Sequence, residues 1–186
     1  MAPAFDIVVG AVVGLAIIVG VLIAANSTGV YDRIGRGALD LDSGALRWQL
    51  TPGGPIRFAP AFAEVATVGK PQVAGGRVYV GSDDGVVYCL DAATGKPVWT
   101  FRGGLDDTRL IGNERMISRW PVRTGVLVAD GVLYAVFGMW PAEGIFVYAL
   151  NPDTGKVIWC NDTSGVMYMS SAHGGERTLS GVSPQG

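Results

Sequence analysis

The chain is poor in the residues from which most catalytic and metal centres are built. It has one histidine, His173, and two cysteines, Cys89 and Cys160, in 186 residues. A histidine-rich zinc site and a Ser-His-Asp triad with a histidine to spare are excluded, and there is no C-x-x-C pair. Charge is scarce too. Only 16% of residues are charged and the net charge is −2, which leaves no basic footprint for nucleic acid or an anionic membrane surface.

What the chain does have is glycine, 28 residues of it, and a repeat. An eleven-residue frame occurs three times, at Ala38–Trp48, Cys89–Trp99 and Ala149–Trp159. Each copy reads Leu, Asp or Asn, two variable residues, Ser or Thr, Gly, three more residues, Trp. The tryptophans stand 51 and 60 residues apart, a period typical of solenoids and propellers. Asp40, Asp91 and Asn151 can accept hydrogen bonds from the backbone just downstream and so start a turn. Gly44, Gly95 and Gly155 supply the positive φ of a short hairpin loop with a bulge. Trp48, Trp99 and Trp159 then return once per unit, as expected of a large residue packing one unit on its neighbour.

The similarity extends upstream. Gly76–Val80 matches Gly131–Ala135, and Val87-Tyr88 matches Val147-Tyr148. A unit therefore reads as four short strands. The second is expected at Pro71–Val73, Arg77–Ser82, Val86–Asp91 and Pro97–Phe101. The third is expected at Gly125–Val128, Val132–Phe137, Ile145–Leu150 and Val157–Asn161. Four antiparallel strands per repeat make a propeller blade. The fold class is all-β, a partial β-propeller of four-stranded antiparallel blades, with one N-terminal transmembrane helix.

This frame resembles the pyrroloquinoline-quinone (PQQ)-type propeller repeat of quinoprotein dehydrogenases and of the outer-membrane assembly lipoprotein BamB. The stretch Arg115–Gly125 and the ending Ser180–Gly186 are similar to those of large planctomycete proteins. The resemblance covers about Ala38 to the end. It implies a quinone cofactor and Ca²⁺ on the propeller axis for enzyme members, which have eight blades and often an adjacent Cys-Cys pair. Neither feature stands in this sequence, and no catalytic Asp can be matched residue by residue. The residues themselves point to no cofactor, so PQQ and Ca²⁺ rest on the resemblance alone.

Residues 31–186 hold about three blades, where closed propellers have about four to eight. The expectation is a piece of a longer propeller, whose missing blades come from its own chain or from self-association. Residues 1–30 form the anchor, or else a signal sequence. Ile7–Ala25 is 19 uncharged, mostly apolar residues, about 28 Å as a helix and close to the bilayer core. The n-region lacks Lys and Arg and no A-x-A site follows, which favours the anchor. Arg33 and Arg36 would hold the following side in the cytoplasm. The resemblance puts such propellers on the periplasmic side of a bacterial inner membrane, the orientation adopted here. The cysteines occupy non-equivalent repeat positions and read as two buried small hydrophobes, not a disulfide.

The longest inter-blade connection carries Arg109, Arg115, Arg119 and Arg123 beside Trp120. Guanidinium groups near an indole suit a small anionic ligand. The alternative is a solvated loop whose arginines bond carbonyls at the blade rim. His173 lies in a Gly- and Ser-rich loop, as a ligand contact or as a surface residue. Asp83-Asp84-Gly85 has the look of a metal turn, but hairpin chemistry explains it. The resulting expectation is a membrane-anchored, exported scaffold that binds protein or a small anion. The alternatives are a piece of a quinoprotein dehydrogenase, or the anchoring part of an enzyme whose catalytic domain lies beyond residue 186.

Overall fold

The computed structural model describes residues 15–18, 21–25, 36–40, 43, 45–63, 76–112 and 114–165. They form fourteen strands. The first sheet holds β1 (Leu15–Ile18), β2 (Val21–Ala25), β3 (Arg36–Asp40) and β4 (Leu46–Leu50). The second holds β5 (Ala61–Ala63), β6 (Arg77–Gly81), β7 (Val86–Asp91) and β8 (Pro97–Arg102). A two-stranded hairpin, β9 (Arg109–Gly112) and β10 (Arg115–Ser118), follows. The third sheet holds β11 (Val122–Ala129), β12 (Val132–Phe137), β13 (Phe146–Leu150) and β14 (Val157–Asn161). All pairs are antiparallel, and each four-stranded sheet keeps the order of the chain.

The repeat frame explains the common geometry. Ala38 faces Trp48, Cys89 faces Trp99 and Ala149 faces Trp159, and in all three sheets a bulge follows at once. In the second sheet Asp91 Oδ1 accepts from the Thr94 amide at 2.9 Å and its hydroxyl at 2.8 Å. Gly95, at φ +70°, donates its amide to Asp91 O at 2.8 Å. Asn151, Thr154 and Gly155 repeat this arrangement in the third sheet. The turn thus needs an Asx side chain, a hydroxyl three residues on, and a glycine where an L side chain is strained.

The tryptophans lock blade to blade. Trp48 Nε1 donates to Ala92 O, and Trp99 Nε1 to Pro152 O, each at 2.9 Å. Ala92 and Pro152 are the same position of the next blade's turn, one residue after the Asx. A Cβ on Gly95 would sit 2.4 Å from the Trp48 ring, and one on Gly155 2.7 Å from the Trp99 ring. The glycine therefore serves twice, in the turn and as the floor under the indole.

Strand alternation makes the second sheet a two-sided core element. Val78, Val80 and Leu90 pack toward the first sheet with Ala38, Trp48 and Ile56. Tyr79, Val87 and Cys89 pack toward the third with Leu133, Phe137 and Leu150. Close approach is built in, since a Cβ on Gly81 would meet Val122 at 2.4 Å.

Four expectations are corrected. The helix expected over Ile7–Ala25 gives way, in its described part, to β1 and β2, which complete the first blade against β3. Among the described residues no helix is long and apolar enough to cross a membrane. An apolar run reads alike as helix or as buried strands, and the β-branched Ile17, Ile18, Val21 and Ile23 suit the latter. The first strand of the second blade is Ala61–Ala63, paired with Arg77–Tyr79, while Pro71–Val73 lies outside the described residues. Cys89 is buried but Cys160 is exposed, because none of the described residues packs over β14. For the same reason Trp159, expected to pack between units, is 45% exposed.

Candidate functional site

The β6–β7 turn, Ser82-Asp83-Asp84-Gly85, carries the densest polar cluster of the described residues. Ser82, Asp83 and Asp84 are buried, which is unusual for a hairpin tip. Three segments converge on it. From the connection between β4 and β5, the Pro55 carbonyl accepts from the Asp83 amide at 2.8 Å, and Gly54 O accepts from the Ser82 hydroxyl at 3.0 Å. From β10 the Ser118 amide donates to Asp83 O at 2.7 Å. At the start of β11 the Val122 amide donates to Ser82 O at 3.1 Å. A Cβ on Gly54 would come within 2.5 Å of the Asp84 amide, so the segment can lie this close only as glycine.

The side chains of the turn finish the clamp. Arg57 Nε donates to Asp83 Oδ2 at 2.7 Å. Arg123 Nε faces Asp83 Oδ1 at 3.0 Å, an ion pair not aligned as a hydrogen bond. Burial raises the Asp83 carboxyl above the usual carboxylate range, and Arg123 and Arg57 oppose the rise. Burial also lowers the Arg123 guanidinium. The two arginines are what keep a carboxylate tolerable there. Asp84 is bound differently, accepting from Tyr88 Oη at 2.6 Å, the Gly53 amide at 2.8 Å and the Val86 amide at 3.1 Å. Arg102 ties the turn to the next connection, donating to Asp84 O at 2.8 Å and pairing with Asp107 at 2.8 Å.

The candidates from the sequence fall into several places. Arg123 belongs to the clamp. Arg119 pairs with Glu143, in the 3₁₀ turn Pro141–Glu143. Trp120 is buried, donates Nε1 to Glu143 O at 2.6 Å and packs edge-on to Phe146. It is a wedge between the connection and the third blade, not an exposed stacking platform. Arg115 opens β10, the strand whose last residue, Ser118, reaches Asp83. His173 lies outside the described residues. Arg57 is the residue that sequence reading missed. The signal was a second, shorter repeat: Pro55-Ile56-Arg57 and Pro121-Val122-Arg123 both lead toward the first strand of a blade.

On the same side of the blades the β9–β10 hairpin carries apolar residues outward. Ile111 and Met116 are register partners, so they share a face, and Ile111 is 78% exposed. Leu105 and Trp140 are exposed as well. The chemistry of the face is therefore that of a fixed platform. Its buried carboxylates are consumed by internal donors, and no group of three or more His, Cys, Asp or Glu gathers for a metal ion among the described residues. Neither Asp83 nor Asp84 suits Ca²⁺. Two guanidiniums face the one, and N–H and O–H donors occupy the oxygens of the other.

Comparison with known proteins gives the context. Residues 30–166 match the family described as outer membrane protein assembly factor BamB. The dehydrogenase subunit of the quinone alcohol dehydrogenase of Acetobacter aceti is 34% identical over 127 residues, 66% of this chain and 16% of that protein. The fold is similar to that of the quinohemoprotein alcohol dehydrogenase of Comamonas testosteroni, with a TM-score of 0.57 at 19% identity over 82% of this chain and 21% of that one. A europium-containing methanol dehydrogenase gives a TM-score of 0.55 at 19% identity, over 80% of this chain and 24% of that one. At these identities the structural likeness is one of fold, and the chain spans under a quarter of each of these relatives.

Proposed function

The chain belongs to the PQQ-like propeller family described as outer membrane protein assembly factor BamB, and on that premise we propose that it is a binding and assembly scaffold of the bacterial cell envelope. The observation that carries this reading is the platform face. Its buried polar groups are spent on holding three segments together, and it offers Leu105, Ile111, Met116 and Trp140 to solvent. Such a face suits a protein partner, with the partly exposed Arg57 and Arg123 as the place for an anionic group. A photo-crosslinking residue at Ile111 should trap a defined protein in cells, and one at Lys156, on the β13–β14 turn, should not. Equal yields from both positions would sink the reading.

A second reading has one observation in its favour, the 34% identity to a quinone-dependent dehydrogenase subunit. In it the whole protein binds a quinone with Ca²⁺ through residues outside the clamp. A saturable rise in melting temperature of the protein on adding both would support it, since a ligand of the native state must stabilise. The scaffold reading expects no shift.

The scaffold reading also places the propeller on the periplasmic side of the inner membrane. Attachment through residues 7–25 competes with β1 and β2, since one segment cannot be a spanning helix and two blade strands at once. Alkaline extraction of membranes separates the two. A spanning helix stays in the pellet and a blade-bound segment is released.

A further inference from the structure

The β9–β10 hairpin stands outside the three four-stranded sheets, and its two strands are unequally covered. Ile117 and Ser118 of β10 are buried, while no residue of β9 is. β9 is therefore the outer strand, and among the described residues it pairs with β10 alone. The register tells which of its backbone groups are spent. The Arg119 amide donates to Thr108 O at 2.9 Å, which makes Thr108 and Arg119 a hydrogen-bonded pair at the base of the hairpin. Antiparallel strands alternate bonded and non-bonded pairs. Leu110–Ile117 and Gly112–Arg115 are therefore bonded, while Arg109–Ser118 and Ile111–Met116 turn their amides and carbonyls outward. Ser118 fixes the phase, since its amide points away from β9 and donates to Asp83 O at 2.7 Å.

The inner edge of the hairpin is thus fastened to the clamp. On the outer edge the N–H and C=O of Arg109 and Ile111 meet no backbone partner among the described residues. These two donor–acceptor pairs stand two residues apart, about 6.8 Å along the strand. Neither proline nor a bulge blunts the edge. An extended chain presents matching groups at that spacing, which sets the backbone of an occupant. Side chains set its composition. Ile111 and Met116 are exposed and apolar, and Arg109 lies on the same side of β9 as Ile111. Asp107 is shared between Arg102 at 2.8 Å and Arg109 at 3.4 Å, so two guanidiniums lean on one carboxylate. Asp106 is turned to the Thr108 amide at 2.7 Å. β9 itself holds a cation and no anion. A second copy pairing edge to edge would set two Arg109 side chains on one small face, so charge selects a different, acidic chain.

We propose that β9 accepts an added strand, an extended segment of a partner protein. The segment carries an apolar residue beside Ile111 and, two positions away, an acidic residue beside Arg109. This inference rests on the scaffold reading and names how that partner is held.

The test uses the full chain in cells, with a photo-crosslinking side chain in place of Arg109 or of Ile111 and mass spectrometry of the linked peptides. Links from the two positions should fall on one partner segment, two residues apart. With the crosslinker at Arg109, Ile111→Pro removes an outward amide and leaves every bond to β10 in place. It should cut the yield about fivefold or more below that of Ile111→Ala, the effect of one lost hydrogen bond. With the crosslinker at Ile111, Arg109→Glu should cut the yield about threefold or more, and Arg109→Lys should not. This second pair decides the matter if Ile111→Pro unfolds the hairpin. Links to a partner without the two-residue spacing, equal yields for Ile111→Pro and Ile111→Ala, or a partner retained by Arg109→Glu overturn the added strand and leave the scaffold reading standing. Links to β9 of a second copy also overturn it. If neither position traps a protein, the scaffold reading fails together with the added strand.

Discussion

Gly95→Ala and Gly131→Ala form a matched pair that measures the blade lock. Both glycines hold a left-handed conformation, at φ +70° and +73°. An L side chain there costs roughly 1–2 kcal/mol in strain at either site, partly offset by a stiffer unfolded chain. What differs is the space. A Cβ on Gly131 meets nothing within 4 Å, whereas on Gly95 it falls 2.4 Å from the Trp48 ring. That ring cannot simply recede, because its Nε1 is tied to Ala92 O at 2.9 Å. Overpacking of this kind costs about 1–3 kcal/mol. Gly95→Ala should therefore be the more damaging by about 1–3 kcal/mol, read as urea midpoints at equal slope by circular dichroism. Combining Gly95→Ala with Trp48→Ala should remove the clash, so the two changes together cost less than their sum. Equal costs for Gly95→Ala and Gly131→Ala, within about 0.5 kcal/mol, would refute the idea that the indole lies on the next blade's glycine.

Three further outcomes follow from the same structure. Asp83→Ala leaves Arg57 and Arg123 facing each other without a buried carboxylate, and should destabilise the fold by about 3 kcal/mol in thermal unfolding. Thr94, through its hydroxyl first, holds the Asp91 carboxyl below its usual range. A depressed carboxyl contributes stability above its unfolded pKa and loses it as pH falls through the folded one. Asp91→Asn, the residue the third blade uses at Asn151, should flatten this acid limb in pH-dependent melting. Burial pushes the Cys89 thiol up to about 12, while Cys160 lies open on β14. A thiol reagent should label Cys160 at once and Cys89 only on unfolding.

Most of the fold was legible because the repeat writes its own turn chemistry. Asp91, Thr94 and Gly95 each have one role in one turn, and strands at Val132–Phe137 and Val157–Asn161 follow from it to the residue. The segment at Leu15–Ala25 was not legible, because an apolar run has no period that separates membrane helix from buried strand. The site was legible only in part. Arg123 stood out as one of several arginines, but its partner Asp83 looked like an ordinary hairpin residue. Burial of that turn depends on Gly54 and Pro55 arriving from another blade, which no local pattern records. The repeated Pro-x-Arg at Arg57 and Arg123 was the one available signal, and it is shorter than the frame around it.

The central claim is that each blade's tryptophan is bonded into the next blade's turn. Indole N–H exchange, followed by ¹⁵N-resolved NMR on the full chain, tests it most directly. The five tryptophans should divide in two. Trp48, Trp99 and Trp120, which donate to Ala92, Pro152 and Glu143, should exchange slowly. Trp140 and Trp159 should exchange at the rate of free indole. Fast exchange at Trp48 and Trp99 would contradict the account, because the blades would then not be held by their tryptophans.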